Sequence, residues 1–495
     1  HPELYLGDHV DFFLLLFVPF YALLPHAETL LMLQVIGVAL ALWPLTLLAR
    51  RILPSPWPLM VAFLYTTSFF VHNFLAFEFH TLVFVVPLLF MAMYWYERRR
   101  FLRFFIMMCI TLTIGEVVGL LFVGFGILAL VERRSKRWWI PISVIGASWF
   151  AGSIVLAGIM NHGTYKFLSY YGWLGSTGSS AFLKAATHPW LVVAELFRVQ
   201  NLIFLLFVSL VFAGIIWLRP RRLIPASLYT LAILLTSFGG DENTLRTHYV
   251  APLLPFLFWA FMDGLAHMRT HPPRFLTRQC ATPMAAVGIL LVLITVYGFF
   301  TESPLRPSVV VQTVRAWQSS TAKTERALIA DIAKDARPIA GYAFLASLAD
   351  RSELYSMHYA FTGTKQLSSQ PYSVPQTADT VLLDARDALF YETQFSDDAK
   401  VLNSGGARLR ALLEDRQFRV ATFLDRFIMY KQSGTSTERL YMTETLATDA
   451  SLPTSEPIAI LPPTSVLPIP MQSMTIGDVT ARFIPLTLSF AAKNA

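Results

Sequence analysis

The sequence predicts an α-helical polytopic membrane protein with about ten crossings, followed by a smaller external α+β domain. Three observations carry that expectation. The chain is 55% hydrophobic and only 14% charged, and its mean hydropathy is +0.52; an ordinary soluble chain carries about a quarter charged residues. Long apolar runs alternate with short arginine clusters: Arg50-Arg51, Arg98 to Arg100 with Arg103, Arg133-Arg134 with Lys136-Arg137, Arg219 with Arg221-Arg222, and Arg269 with Arg274 and Arg278. Between the clusters lie short carboxylate- and histidine-bearing loops: Glu78 with His80, Glu116, a loop around His162, and Asp241-Glu242 to His248. Basic loops on one side and acidic or histidine-bearing loops on the other are the signature of a positive-inside topology.

Taken in chain order, residues 11–24 are apolar but short, and they precede a helix that enters from outside, so they are expected to lie along the outer interface. Residues 1–26 then form an external segment, and an upstream spanning helix is expected to precede His1. Spans are expected at 27–48, 57–75, 82–97, 138–159, 199–217, 223–239, 249–267 and 284–300. The stretch from Arg103 to Glu132 is apolar with arginine-rich flanks on both sides, which requires an even number of crossings. Two short helices meeting near Gly115-Glu116 satisfy it. The transmembrane domain thus covers 27–300.

Residues 301–450 read as the external soluble α+β domain. An amphipathic helical pattern runs from Val309 to Lys334, followed by compact apolar runs such as Pro338 to Phe344, Thr380 to Asp384 and Phe418 to Phe423. Residues 451–495 open on a proline-rich linker, and Met474 to Phe490 resembles strands that pair with sequence outside the chain.

The net charge of +7 follows the ends of apolar segments. Anionic lipid headgroups explain it, and nucleic acid is excluded as a partner. Cys109 and Cys280 lie in or beside spans and form no disulfide framework. P-loop, His-Glu-x-x-His, nucleophile-elbow and paired Cys-x-x-Cys patterns are missing.

Four external elements could carry chemistry. Gly7-Asp8-His9, with Asp11 behind it, offers a general base or a divalent metal ligand; the alternative is an Asp capping the helix near residue 11. Phe77-Glu78-Phe79-His80 suits an interfacial site or an aromatic belt at headgroup level. Glu116 interrupts an apolar run, which marks a cavity-facing carboxylate; a protonated structural carboxylate at the hairpin tip is the alternative. Arg246, His248 and Tyr249 close the fourth element, where an Arg fork and an imidazole meet lipid phosphates, unless the arginine merely snorkels. The aromatic loop 161–198 with Tyr165, Lys166, Tyr170, Tyr171, Trp173 and Lys184 would stack on sugars or sit among headgroups.

In this order the four elements resemble the bacterial and archaeal membrane family called domain of unknown function 2079. They stand here as Leu6-Gly7-Asp8-His9, Phe77-Glu78-Phe79-His80, Gly115-Glu116-Val117 and His248-Tyr249 through Pro255-Phe256, over roughly residues 4–430. Glu78 stands in place of the family's usual Asp, Thr81 in place of a common proline, and Glu116 lacks the Lys-Glu-Asp form. The resemblance implies a layout similar to the GT-C glycosyltransferases of the cell membrane. Those enzymes pass a sugar from a polyprenyl-phosphate donor to a glycan, lipid or protein acceptor at the outer face. It also implies catalytic roles for Asp8, His9, Glu78, His80 and Glu116, with Arg246, His248 and Tyr249 binding substrate. On that reading Asp8 is the base or positions a divalent metal ion, Glu78 and His80 line the acceptor side, and Arg246 with His248 holds the donor phosphate. Glu116 positions the sugar or orients a neighbour. A lipid-linked sugar flippase or transporter is the alternative class, and a non-catalytic envelope assembly protein a third.

Overall fold

A computed structural model describes residues 5–161, 165–272, 283–365, 371–395, 398–432, 472–476 and 479–483. His162, Arg274, Arg278, Cys280 and the proline-rich 451–470 stretch lie outside them. The chain divides into two compact units, His1–Gln312 and Thr313–Ala495.

The first unit is helical, and fifteen helices run through its described part up to Thr270. They are α1 (Val18–Leu23), α2 (Ala27–Leu40), α3 (Leu42–Ile52), α4 (Trp57–Thr66), α5 (Phe69–Phe77), α6 (Val85–Glu97), α7 (Phe101–Leu112) and α8 (Val118–Val131). Then follow α9 (Lys136–Met160), α10 (Gly178–Thr187), α11 (Pro189–Leu196), α12 (Val199–Val211), α13 (Ile224–Leu234), α14 (Glu242–Arg246) and α15 (Leu254–Thr270). A further apolar helix, Pro283–Glu302, comes after them.

Among the described residues, four helical stretches are long and apolar enough to cross a bilayer: Ala27–Ile52, Trp57–Phe77, Lys136–Met160 and Met284–Gln318. The bent pair α11 and α12, at 49°, makes a fifth if counted as one span. This is fewer than the expected ten. The apolar run at 82–97 opens in a 3-10 turn, Thr81–Phe84, before α6 begins, and the run at 223–239 yields only the short α13. The expected hairpin between Arg103 and Glu132 is present as α7 and α8, with Gly115 and Glu116 in the turn between them. Residues 11–24 form a 3-10 turn, Phe13–Phe17, and α1, with Leu15, Leu16, Leu23 and Leu24 exposed.

Large apolar side chains cover the outside of this unit as well as its inside. Leu59, Leu102, Val155, Ile159 and Ile289 are all more than 60% exposed, far beyond the scattered apolar groups a water-facing surface carries. Hydrocarbon is the solvent such a surface suits. Between helices the packing is close. A Cβ built on Gly119 of α8 would stand 2.6 Å from the carbonyl oxygen of Gly146 in α9, and one on Gly146 would stand equally close to Gly119. Facing glycines let two backbones approach where apolar burial alone gives helices no reason to associate.

The ends of these helices carry different chemistry. At one end the buried Arg222 guanidinium meets Glu97 at 2.7 Å, Glu132 at 3.0 Å and Asp263 at 2.9 Å. Arg134 joins through Glu132 at 2.9 Å and lies over the Tyr96 ring. Three arginine-rich loops therefore converge, as the charge alternation predicts. Glu97, Glu132 and Asp263 follow His80, Glu116 and His248 along α6, α8 and α15. Each separation is about 15 to 17 residues, or roughly 25 Å of helix.

The second unit holds a five-stranded sheet of order β2-β1-β3-β5-β4, with β1 (Pro338–Ala340), β2 (Tyr355–Ser356), β3 (Thr380–Asp384), β4 (Phe418–Leu424) and β5 (Phe427–Gln432). β2, β1 and β3 are parallel; β5 and β4 add antiparallel. Three of the apolar runs read from sequence are thus β1, β3 and β4. The strands expected near Met474 pair with each other: β6 (Gln472–Ile476) lies antiparallel to β7 (Val479–Phe483).

Candidate functional site

The Gly7-Asp8-His9 element is held by its neighbours. Asp11 Oδ1 accepts the Leu14 N–H at 3.1 Å, capping the turn that follows, while Asp11 Oδ2 accepts the Thr81 hydroxyl. Phe13 N–H reaches the carbonyl of Thr113 at the end of α7 at 2.9 Å. The cap expected of an aspartate here belongs to Asp11, which leaves Asp8 for other work. Burial raises the Asp11 carboxyl above its ordinary range, against the hydrogen bonds that lower it.

This anchoring lays His9 against the α7–α8 turn. His9 Nδ1 lies 3.1 Å from Glu116 Oε1, and the Tyr165 hydroxyl donates to the same oxygen at 2.9 Å. Glu116 is only 3% exposed, and its Oε2 is buried with no hydrogen-bond partner among the described residues. Trp149 pins the turn by donating Nε1–H to the Gly115 carbonyl at 3.2 Å. The His9 ring stacks on Phe167 at 4.6 Å, and Lys166 Nζ meets Asp8 Oδ1 at 2.6 Å. The aromatic segment after residue 164 thus covers Asp8 and His9.

The second group forms where α5 ends. Glu78 and His80 are extended, and the buried Gln34 of α2 spans them: its Nε2 donates to the Glu78 carbonyl at 3.1 Å and its Oε1 accepts the His80 N–H at 2.8 Å. His80 stacks on His248 with ring centroids 3.5 Å apart, and Glu78 Oε1 lies 3.4 Å from His80 Nε2. His248 is buried in the turn before α15, with Nδ1 unpartnered among the described residues. Burial, with His80 and His9 close by, pushes its imidazole far below the usual range, so it stays neutral.

The two groups are neighbours. The Thr81 hydroxyl, adjacent to His80 in sequence, donates to Asp11, two residues beyond His9. Of the eight residues singled out from sequence, Glu78, His80 and His248 meet directly, as do His9 and Glu116. Asp8 joins through Lys166, and Tyr249 stacks on Phe238 at 5.3 Å beside His248. Arg246 pairs elsewhere, with Glu242 at 2.7 Å and Glu302 at 3.3 Å. Lys166, in the aromatic loop read from sequence, and Thr81, at a position where the family often has proline, join the site; Gln34 and Trp149 also belong to it and have no sequence signature beyond being polar or amphipathic groups in apolar surroundings.

One ligand atom from each of Glu78, His80 and His248 lies within 4.8 Å of the others. Two imidazoles and one carboxylate are a donor set for a first-row dication, bound at about 2.1 Å per ligand. Slight closure of the three side chains meets that geometry, and the unpartnered Nδ1 of the neutral His248 is the kind of atom such an ion satisfies. An apolar groove of about 730 Å³ lined by Trp57, Met60, Phe63 and Val292 carries no titratable group and is not part of this site.

No curated protein matches the chain. A family match covers residues 3–422: the chain belongs to the predicted membrane proteins of domain of unknown function 2079.

Proposed function

We propose that this protein is a GT-C-like glycosyltransferase of the cell membrane, moving a sugar from a polyprenyl-phosphate donor to an acceptor hydroxyl with inversion. The reading includes about ten crossings, several made by the shorter helices, with the α+β unit on the outer side. What carries it is the buried Glu116–His9 pair beside the Glu78–His80–His248 group, at the helix ends opposite the Arg222 network.

Inverting transfer needs a base for the acceptor proton and stabilisation of the departing phosphate. His9 takes the proton at Nε2 while Glu116, on Nδ1, fixes the ring and stabilises the imidazolium formed. The acceptor oxygen bonds to the anomeric carbon, the carbon–oxygen bond to phosphate breaks, and the polyprenyl phosphate leaves with the electron pair. Asp8, half-exposed beside Lys166, accepts a hydrogen bond from the acceptor and aligns it. Glu78, His80 and His248 would hold a divalent ion, which supplies positive charge for the phosphate when bound. Arg246, tied to Glu242 and Glu302, takes no part in this scheme.

A transporter would hold its carboxylate near the midplane. The contacts of Glu116 with His9 and Tyr165 favour the transferase. The test is incubation of the reconstituted protein with polyprenyl-phosphate sugars and acceptor extracts, with Mn2+ or Mg2+, scoring release of polyprenyl phosphate. Release that is lost in His9→Ala, Asp8→Asn and His248→Ala supports the reading. No release with any donor, or translocation of intact donor across vesicles, overturns it.

A further inference from the structure

The α+β unit has a second polar group that the transferase scheme does not use. It forms where the three parallel strands end. β2 leads into the helix Met357–Thr362 that carries His358. β1 leads through Gly341 to Tyr342, and β3 leads to the helix Arg386–Gln394 that carries Asp387 and Tyr391. The carboxyl ends of adjacent parallel strands are where open α/β sheets place ligands, because the loops diverge there and leave a crevice.

Three polar atoms in this group are buried without a partner among the described residues: His358 Nδ1, Asp387 Oδ2 and the Tyr391 hydroxyl. His358 is 8% exposed and Tyr391 is 4% exposed. They lie together. The His358 ring is 5.6 Å from Tyr391 and 5.3 Å from Tyr342, and the Asp387 charge acts on both tyrosines. Gly341 leaves room for the carboxylate, since a Cβ there would stand 2.1 Å from Asp387 Oδ2. At the edge, Tyr342 and Phe390 are each nearly half exposed and meet edge-on at 5.9 Å.

Leaving three such atoms unpaired is destabilising, and a ligand that pairs with them would recover that loss. Asp384 lies beside Asp387 and already engages the nearby cations, Arg426 at 2.9 Å and Arg386 at 3.6 Å, so the Asp387 carboxylate dominates the pocket and disfavours an anionic ligand. Hydroxyl groups both donate and accept, as a carboxylate beside a phenol and an imidazole requires, and half-open aromatic faces suit the C–H face of a pyranose. We infer that His358, Asp387 and Tyr391, with Tyr342 and Phe390 at the rim, form a binding site for a neutral saccharide. The site stands apart from the transferase reading, because it concerns binding by this unit alone.

The experiment is saturation-transfer NMR on the full chain in nanodiscs, because alkyl-glycoside detergents would compete. The probes are methyl β-glucoside, methyl β-galactoside, an N-acetylglucosamine trisaccharide and, as the contrasting cation, choline. Transfer to sugar ring protons is expected with at least one saccharide, falling about fivefold or more in Tyr342→Ala and in His358→Phe. Tyr342→Ala alters an exposed rim, and His358→Phe keeps a ring among aromatic neighbours while removing an unpaired polar atom, so neither should melt below the native chain. The proposal is overturned by no transfer to any saccharide, by transfer that survives both substitutions, or by transfer to choline alone. Polyprenyl-phosphate release plays no part in the readout, so failure here and failure of the transferase assay are separate results.

Discussion

His9 and Glu116, 107 positions apart in sequence, meet through Nδ1 and Oε1 at 3.1 Å inside the helical unit. The contact joins a loop before α1 to the turn between α7 and α8, and Tyr165 seals it from a third direction. Glu116→Gln keeps the shape of the side chain but removes the charge that orients the imidazole. In the donor-cleavage assay kcat is expected to fall about 100-fold with KM little changed, as for a lost general-base function. Glu116→Ala should also lower the melting temperature, because the Tyr165 hydroxyl loses a buried partner worth about 1–3 kcal/mol. Unchanged kcat in Glu116→Gln would remove Glu116 from the mechanism.

The Glu78–His80–His248 group predicts one tightly bound dication per chain. Titration of metal-free protein with Zn2+ or Mn2+, followed by calorimetry, should give one site that His248→Ala abolishes. Gln34→Leu reaches no ligand atom directly, yet it frees the backbone of Glu78 and His80 on either side of the loop. Its affinity for metal should drop about 10-fold or more, as for groups that support metal ligands. Equal binding by native and His248→Ala protein would exclude the site.

Arg222 answers three carboxylates, Glu97, Glu132 and Asp263, with one guanidinium. Arg222→Met takes from Glu97 its ion-pair partner and leaves Glu132 only Arg134 and Asp263 only the more distant Arg221, and losing one partner of a buried ion pair costs about 3–5 kcal/mol. Expression in the membrane and the thermal midpoint should both fall sharply. Arg222→Lys should recover little, because an ammonium cannot present a planar fork to three acceptors. A midpoint within a degree of the native protein would show that the network holds nothing together.

The sequence made the two polar ends of the helical unit visible, because charge in an apolar chain has few places to go. It also located the α7–α8 turn, since two basic flanks force an even number of crossings. Helix length was not legible in the same way. Apolar character continues through Thr81–Phe84 and through the stretch after Leu234, although the backbone there is turn rather than α-helix, and hydropathy does not register that change. Within the site, Glu78, His80, Glu116 and His248 stood out as polar groups beside apolar runs. Gln34 did not, because a glutamine inside a helix looks like any tolerated polar residue until the extended loop it bridges is known. Arg246 stands apart from these four: its guanidinium pairs with Glu242 one helical turn earlier.

Asp387 makes the α+β unit sensitive to pH. Burial pushes its carboxyl up from 3.8 to about 6, and neighbouring Asp384 pushes the same way. In the unfolded chain the group ionises near its ordinary value, so between these two values the folded state holds the proton more strongly. The stabilising contribution of the protonated carboxyl is therefore complete below about pH 4 and is lost as pH rises through 6. Asp387→Asn removes the ionisation and should melt higher than the native chain at pH 7.5. The gain is about 1–2 kcal/mol once partial solvent access to the carboxyl is discounted. The advantage should shrink towards zero as the pH is lowered to about 4, because both side chains are then neutral in both states. Melting curves of the two proteins at pH 4, 5.5 and 7.5 check this. A constant gap would trace the effect to packing against Gly341, and the reverse order at pH 7.5 would mean that the carboxylate is stabilised in the fold.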